Sequence, residues 1–303
     1  MSIYVETLIH ASMDALWAHT QTPALHERWD LRFSSIEYLP RLSEAEPQRF
    51  RYTTRLGLGL AIKGDGETMG ERDLADGSRT SALRFSSAHP LSIIGTGSGY
   101  WKYVPTPDGI RFLTSYDYQP RFGPAGAIFD RLVFRPMLGW ATAWSFDRLR
   151  RWLEDGISPE RSFRQAALHG ISRVSLAGIF LYEGLVPKLL GANGDEVAML
   201  RNIGVPSGGM PLALGVFGLA EVGLAAALLL LWHRRLPALL CLAFAVATTV
   251  GVALTSPSYL GGAFNPLTLN VAVGALAVID LLTLDDLTTA GRGRRRPLGA
   301  AVT

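Results

Sequence analysis

The feature that most restricts this chain is a set of four apolar stretches in its C-terminal half, roughly Ile171–Leu190, Pro211–Trp232, Pro237–Leu254 and Pro266–Leu284. Each comes close to the ~20 residues that cross ~30 Å of hydrocarbon. A buried hairpin in a soluble protein supplies one or two such runs, not four separated by short loops. Charge falls where apolarity rises. Residues 1–165 hold 20 Lys and Arg against 19 Asp and Glu, and residues 166–303 hold only 9 against 7. We therefore expect four segments: a soluble domain over 1–158, a linker over 159–167, a four-helix transmembrane domain over 168–287, and a basic, disordered tail over 288–303.

Orientation follows from Lys and Arg in the short flanks. Arg161, Arg164 and Arg173 precede or open the first span, His233, Arg234 and Arg235 join the second to the third, and Arg292, Arg294, Arg295 and Arg296 follow the fourth. The loop Gly191–Met210 carries Arg201 with Asp195 and Glu196, and Thr255–Asn265 carries no charge. An even number of crossings puts every basic flank on one side. The expectation is a multi-pass protein of the inner (cytoplasmic) membrane with both termini cytoplasmic. The opening MSIYVETLIHASMDALW has no basic stretch followed by a long apolar core, so no cleavable signal peptide is expected.

The spans contain polar residues. Glu183 lies just past the middle of the first, Glu221 near the middle of the second, Asn270 near the outer end of the fourth and Asp280 in its inner half. An ionisable group in hydrocarbon costs at least ~2.5 kcal/mol on the insertion scale, so it normally faces the bundle interior with a partner. Lys188, near the outer end of the first span, is long enough to snorkel to the interface. It stands about 140° around the helix from Glu183, a poor angle for direct pairing. An interhelical cluster of Glu183 and Glu221, with Asn270 as donor and Lys188 as a further member, would suit proton handling or a quinone-facing site. Polar glue between helices is the alternative reading of the same residues.

The run Phe180-Leu181-Tyr182-Glu183-Gly184-Leu185-Val186-Pro187-Lys188-Leu189-Leu190, then Asp195-Glu196 and a Pro/Gly-rich entry to the second span, resembles the DoxX-like family of four-helix membrane proteins. Leu219-Ala220-Glu221 and the surroundings of Asn270 fit the same pattern, and the resemblance covers about 168–287. It implies quinone-coupled or thiol-related redox chemistry. The single cysteine, Cys241, argues against a thiol–disulfide role for the bundle itself. A quinone is the cofactor left open; no metal-binding or nucleotide motif is present.

The soluble half alternates like a sheet protein. Ile3–His10 reads as a strand, Ser12 as an N-cap, and Met13–Thr20 and Ala24–Trp29 as short helices. Six strands follow, Ser35–Leu39, Gln48–Leu56, Ala61–Leu74, Arg79–Phe85, Gly97–Thr106 and Ile110–Gln119, with turn signals at Asp76-Gly77 and Asp108-Gly109. A long helix over about Ala125–Asp155, interrupted near Pro136, ends the domain.

This is a helix-grip order, an α+β soluble domain ahead of an all-α four-helix transmembrane bundle. The opening Tyr4-Val5-Glu6-Thr7 with Ala11-Ser12 and Leu16-Trp17, then Trp29, and the closing Phe146-Asp147, Leu149 and Trp152-Leu153-Glu154 resemble the START-like polyketide cyclase/dehydrase (SRPBCC) superfamily over about 1–155. The resemblance implies an apolar cavity between the long helix and a curved sheet. Trp140 and Trp144, four apart on one helix face, are candidates to line it, to pack the core or to meet the bilayer interface. Trp101, Tyr103 and Tyr116 are strand candidates for the same pocket. No catalytic residues can be assigned, and neither a nucleophile elbow nor a phosphate loop is present.

Three functions are compatible with these features. In the first, the helix-grip domain binds a hydrophobic small molecule (a lipid, isoprenoid or quinone-like compound) beside the bilayer. In the second, the bundle is a subunit of a quinone-linked oxidoreductase system with the soluble domain as accessory. In the third, the bundle is a tether or scaffold. The expected partners are membrane lipids and a hydrophobic small molecule, with room for a homo-oligomer or a partner membrane protein. Nucleic acid is not expected, because the charge excess sits beside apolar spans and not on a basic face.

Overall fold

The computed structural model describes residues 2–43, 46–263 and 265–297. The chain forms two compact units. The first joins Met1–Ser162 with the segment from Thr288 onward, and the second is Phe163–Leu287.

The first unit is built on a seven-stranded antiparallel sheet: β1 (Ile3–Ile9), β2 (Ser35–Tyr38), β3 (Arg49–Gly57), β4 (Leu60–Asp73), β5 (Arg79–Ser86), β6 (Ile94–Thr106) and β7 (Gly109–Pro120). Its spatial order is β1-β7-β6-β5-β4-β3-β2, so successive hairpins run from β2 to β7 and β1 closes beside β7. Two helices, α1 (Met13–Gln21) and α2 (Pro23–Trp29), fill the excursion between β1 and β2. The Ser12 hydroxyl caps α1 by accepting the Ala15 amide, 3.2 Å. Gly109 turns β6 into β7 with φ +130°, and a Cβ there would lie 2.7 Å from the Ile9 carbonyl oxygen. The turn therefore needs glycine for its dihedral and for the close approach of β1.

The closing helix starts as α3 (Gly123–Phe129), passes through a π turn at Asp130–Phe134 and continues as α4 (Arg135–Asp155). The interruption expected near Pro136 lies immediately before it. Proline has no N–H for the preceding turn, and the wider π turn absorbs the missing bond. α4 packs on β1 and is fixed to β7, where the Tyr116 and Thr142 hydroxyls bond at 2.8 Å.

The tail departs from expectation. Residues 288–297 are ordered on the first unit, and 298–303 lie outside the described residues. The Arg294 amide donates to the Glu6 carbonyl (2.8 Å) and the Glu6 amide to the Arg294 carbonyl (2.9 Å). The Trp144 indole donates to the Thr288 carbonyl (3.2 Å), and the Thr289 amide to Asp147 (2.9 Å). A Gly/Arg/Pro-rich composition suggested disorder. The free backbone edge of β1 supplies the partners that composition does not reveal.

The second unit contains most of α5 (Pro159–Gly184), a π turn at Leu185–Leu190, and then α6 (Gly194–Asn202), α7 (Met210–Leu230), α8 (Leu236–Thr255) and α9 (Pro266–Thr283). Three helical segments, Ser207–Leu230, Leu236–Thr255 and Pro266–Thr283, are long and apolar enough to cross a membrane. A fourth crossing exists if Pro159–Leu190 and Gly194–Asn202, bent by 89°, count as one broken span. α6, capped by Asn193 on the Asp195 amide (2.8 Å), occupies a stretch read from sequence as loop. The core joins Leu176 and Phe180 of α5 to Leu228, Cys241 and Ala277 of the other helices. α5 and α7 come together at two glycines: a Cβ on Gly184 would sit 2.6 Å from the Gly218 carbonyl oxygen.

Candidate functional site

A cavity of about 870 Å³ opens in the second unit between α5, α6, α7, α8 and α9. Phe180, Phe217, Phe244 and Val273 are among its apolar walls, and Glu183, Lys188, Glu196 and Glu221 form a charged end. The local sequence explains that end. Pro187 has no N–H to offer the Glu183 carbonyl, and the Lys188 ammonium takes that carbonyl instead, at 3.2 Å. The π turn thus swings Lys188 inward, with its side chain only 8 % exposed. The Gly184–Gly218 approach brings in Glu221, less than one turn beyond Gly218 on α7.

Lys188 is the hub. Its ammonium lies 3.1 Å from Glu221 Oε2 and 3.2 Å from Glu196 Oε1. The Glu221 contact is an ion pair by distance and not an aligned hydrogen bond, so that buried oxygen has unused acceptor capacity. The Glu183 side chain borders the cavity with no hydrogen-bond partner among the described residues. At the outer rim the Tyr259 hydroxyl reaches Asp195 (3.4 Å) and the Asn202 amide reaches the Ser256 hydroxyl (2.9 Å), fastening α6 over the opening.

Of the five residues expected in an intramembrane cluster, the structure gathers three, Glu183, Lys188 and Glu221, at one end of the cavity. Lys188 does not snorkel, because the π turn points it at the acids. Asn270 lines the same cavity but does not serve the glutamates; its amide donates to the Thr248 and Thr249 hydroxyls, both at 3.0 Å. Asp280 belongs elsewhere. It is fully buried against Arg173 Nε (3.0 and 3.1 Å) and His169 Nδ1 (2.8 Å). Arg173 also donates to the carbonyls of Leu228 (3.0 Å) in the last turn of α7 and of Leu231 (2.8 Å) and Arg234 in the turn that follows it. Sequence reasoning treated Arg173 as a topology charge and passed over His169 and Glu196. The available signal was spacing: His169 and Arg173 are four apart, on one face of a span that has an acid opposite it.

In the first unit the strand candidates are each engaged by core neighbours. Tyr103 is fully buried, its hydroxyl 2.6 Å from Thr20 and 3.0 Å from the Gln21 amide. Trp101 lies among His26 (4.9 Å), Trp29 (6.1 Å) and Phe112 (5.9 Å), and Phe112 stacks on Phe146 of α4 at 4.5 Å. Tyr116 spends its hydroxyl on Thr142. Where these residues sit, sheet and helix are joined by aromatic rings. Trp140 and Trp144 stack 6.2 Å apart; Trp144 is buried under Thr288, while Trp140 is 45 % exposed. A polar network missed at the sequence level sits beside this core. Arg32 chelates Asp30 (2.9 and 2.6 Å), and His26 Nε2 lies 3.0 Å from the same carboxylate. Burial lowers the basicity of His26. Burial also works to raise the Asp30 acid, but Arg32 and His26 outweigh it and hold the carboxyl well below the usual range.

Comparison with known proteins follows these two units. Residues 177–278 match the model of the DoxX-like family. The chain is 47 % identical over 183 residues to "Uncharacterized membrane protein YndG" of Bacillus subtilis (strain 168), spanning 60 % of this chain and 68 % of that one. Among solved structures, a STAR-related lipid transfer protein from Xanthomonas axonopodis is 16 % identical, with TM-score 0.39, covering 50 % of this chain and 85 % of the other. The Zhui aromatase/cyclase from Streptomyces sp. R1128 is 14 % identical, with TM-score 0.38, covering 52 % and 97 %. The chain is a membrane protein that belongs to the family of YndG, with a DoxX-like domain behind a helix-grip domain.

Proposed function

We propose that this protein binds a small molecule with an apolar body and a polar head in the cavity of its membrane unit. The helix-grip unit would serve as the cytoplasmic module that receives or senses that occupancy. The observation that carries this reading is the cavity itself, about 870 Å³ with apolar walls and Lys188 set among Glu183, Glu196 and Glu221 at one end. That volume lies within the ~300–1,000 Å³ of typical small-molecule sites, where a few polar groups orient a mostly apolar ligand. Lys188 can donate to a carbonyl head and the unengaged Glu183 carboxyl can meet a hydroxyl, a pairing suited to isoprenoid or quinone-like heads. The sequence reading put the ligand in the helix-grip half; we place it in the bundle because Trp101, Tyr103 and Tyr116 are engaged by their own neighbours in the first unit.

The proposed topology is four crossings with both flanks of the bundle in the cytoplasm. Basic residues flank the spans on one side. The chain also leaves the first unit at Ser162 and rejoins it at Thr288, which an even number of crossings permits.

The test is mass spectrometry of small molecules extracted from full-length protein purified in mild detergent, beside Lys188→Met and Glu221→Gln. A stoichiometric apolar compound on the parent, lost from Lys188→Met, supports the reading. Equal recovery from all three proteins would refute the site. A quinone among the extracts would turn the proposal toward electron transfer.

A further inference from the structure

Residues 122–140 run along the surface of the first unit as α3, the π turn and the first turn of α4. Ile128, Phe129, Leu132, Val133, Met137 and Trp140 are all exposed, Leu132 to 69 %. They recur at helical spacing, so they make one stripe and not scattered apolar residues. The stripe cannot roll inward. Asp130, only 3 % exposed, accepts the Tyr118 hydroxyl at 2.5 Å and Arg135 Nε at 2.8 Å, and Arg135 reaches on to Asp117 at 2.8 Å. These bonds fix the polar side of the segment against β7 and hold the apolar side outward.

Charge indicates what covers it. Between Phe122 and Trp140 the charged residues are Asp130, Arg131 and Arg135. Asp130 and Arg135 are engaged with each other, which leaves Arg131, exposed beside Leu132, and no exposed acid. An apolar face with Trp at one end and an Arg at its edge matches a helix lying in the headgroup region of an anionic leaflet.

Such a surface is close at hand. Four residues, 284–287, separate the end of α9 from Thr288, whose carbonyl Trp144 holds one turn along α4 from Trp140. Three residues, 156–158, separate α4 from α5. Tethers this short keep lipid at a high effective concentration around the stripe, whereas a soluble partner would have to diffuse to it.

We infer that the α3–α4 stripe is a bilayer-docking face, seating the helix-grip unit on anionic lipid through Leu132, Val133, Met137 and Trp140 with Arg131 at the headgroups. The test uses full-length protein in vesicles of phosphatidylcholine with phosphatidylglycerol admixed, spin-labelled at Leu132→Cys and, separately, at Met137→Cys. The parent, whose single cysteine Cys241 is buried, is the blank. A label on Glu71→Cys, an exposed position on β4, is the aqueous reference. Docking predicts collision with oxygen over a water-soluble nickel chelate several-fold above the Glu71→Cys ratio at both stripe positions. A ratio equal to the reference at both places the stripe in water and overturns the proposal. Poor collision with both reagents means protein cover, such as a second copy of the chain, and overturns it equally.

Discussion

Replacing Arg173 by Met should open the end of the bundle where α5, α7 and α9 meet. Arg173 is fully buried, carries the Asp280 carboxylate on its Nε and donates to three carbonyls in and just past the last turn of α7. Removing it leaves Asp280 with His169 alone, and breaking one side of a buried pair costs about 3–5 kcal/mol. The native cysteine supplies the assay. Cys241 is fully buried among Leu176, Leu228 and Ala277, so a thiol reagent reaches it when the bundle opens. When opening is fast relative to labelling, the rate follows the open population. At about 1.4 kcal/mol per tenfold, Arg173→Met should label roughly a hundredfold to a few thousandfold faster than the parent. Arg173→Met with Asp280→Leu removes both charges and should recover much of that loss. An acceleration below about tenfold in Arg173→Met, or a double variant that opens faster than the single, would refute the view that this pair locks the helices.

Two further predictions concern the first unit. Native His26 and Asp30 are both harder to protonate than in the unfolded chain, whose reference values are 6.5 and 3.8. The unfolded state therefore takes up more protons as pH falls, so stability should be full above pH 6.5, erode below it through His26 and fall further below about pH 4 through Asp30. Tryptophan-monitored melting of the full-length protein should show this slope, and His26→Gln should flatten the part that lies below about pH 6.5 and above the Asp30 range; an unchanged slope in that variant would assign it to other groups. At the α4–β7 contact, Thr142→Val strands the Tyr116 hydroxyl and should cost about 1–3 kcal/mol in denaturant titration, with part recovered by adding Tyr116→Phe. A single variant as stable as the parent would show that the hydroxyl pair does not fasten the helix.

What was legible in the sequence was what depends on neighbours along the chain. The period-two strands, the Asp76-Gly77 and Asp108-Gly109 turns, the Ser12 cap and the last three apolar runs express local geometry and fall within a few residues of their places, whereas the first run belongs to a helix that starts twelve residues earlier, at Pro159. Pairing across elements was not legible. Lys188 does pair with acids other than Glu183, as its angle around the helix implies, but it turns inward and does not snorkel because Pro187 leaves a carbonyl unsatisfied and the π turn re-aims the side chain. Asp280 has two plausible environments in one dimension, and only the bundle's packing selects Arg173 and His169. The aromatic residues of the soluble half are equally good as cavity lining or core, since either use needs the same alternation; ring-to-ring packing decides it.

The closing of β1 by residues 288–297 gives this protein an order of assembly. The ribosome makes the helix-grip domain first, yet its last backbone partners arrive only after all the membrane helices have been synthesised. Those partners reach β1 only if α9 has exited on the side where the domain waits. A chain with a misthreaded helix keeps an open strand edge, the kind of surface that aggregates and that chaperones and proteases act on. The backbone bridge between Glu6 and Arg294 thereby couples the fate of the soluble domain to the success of membrane insertion.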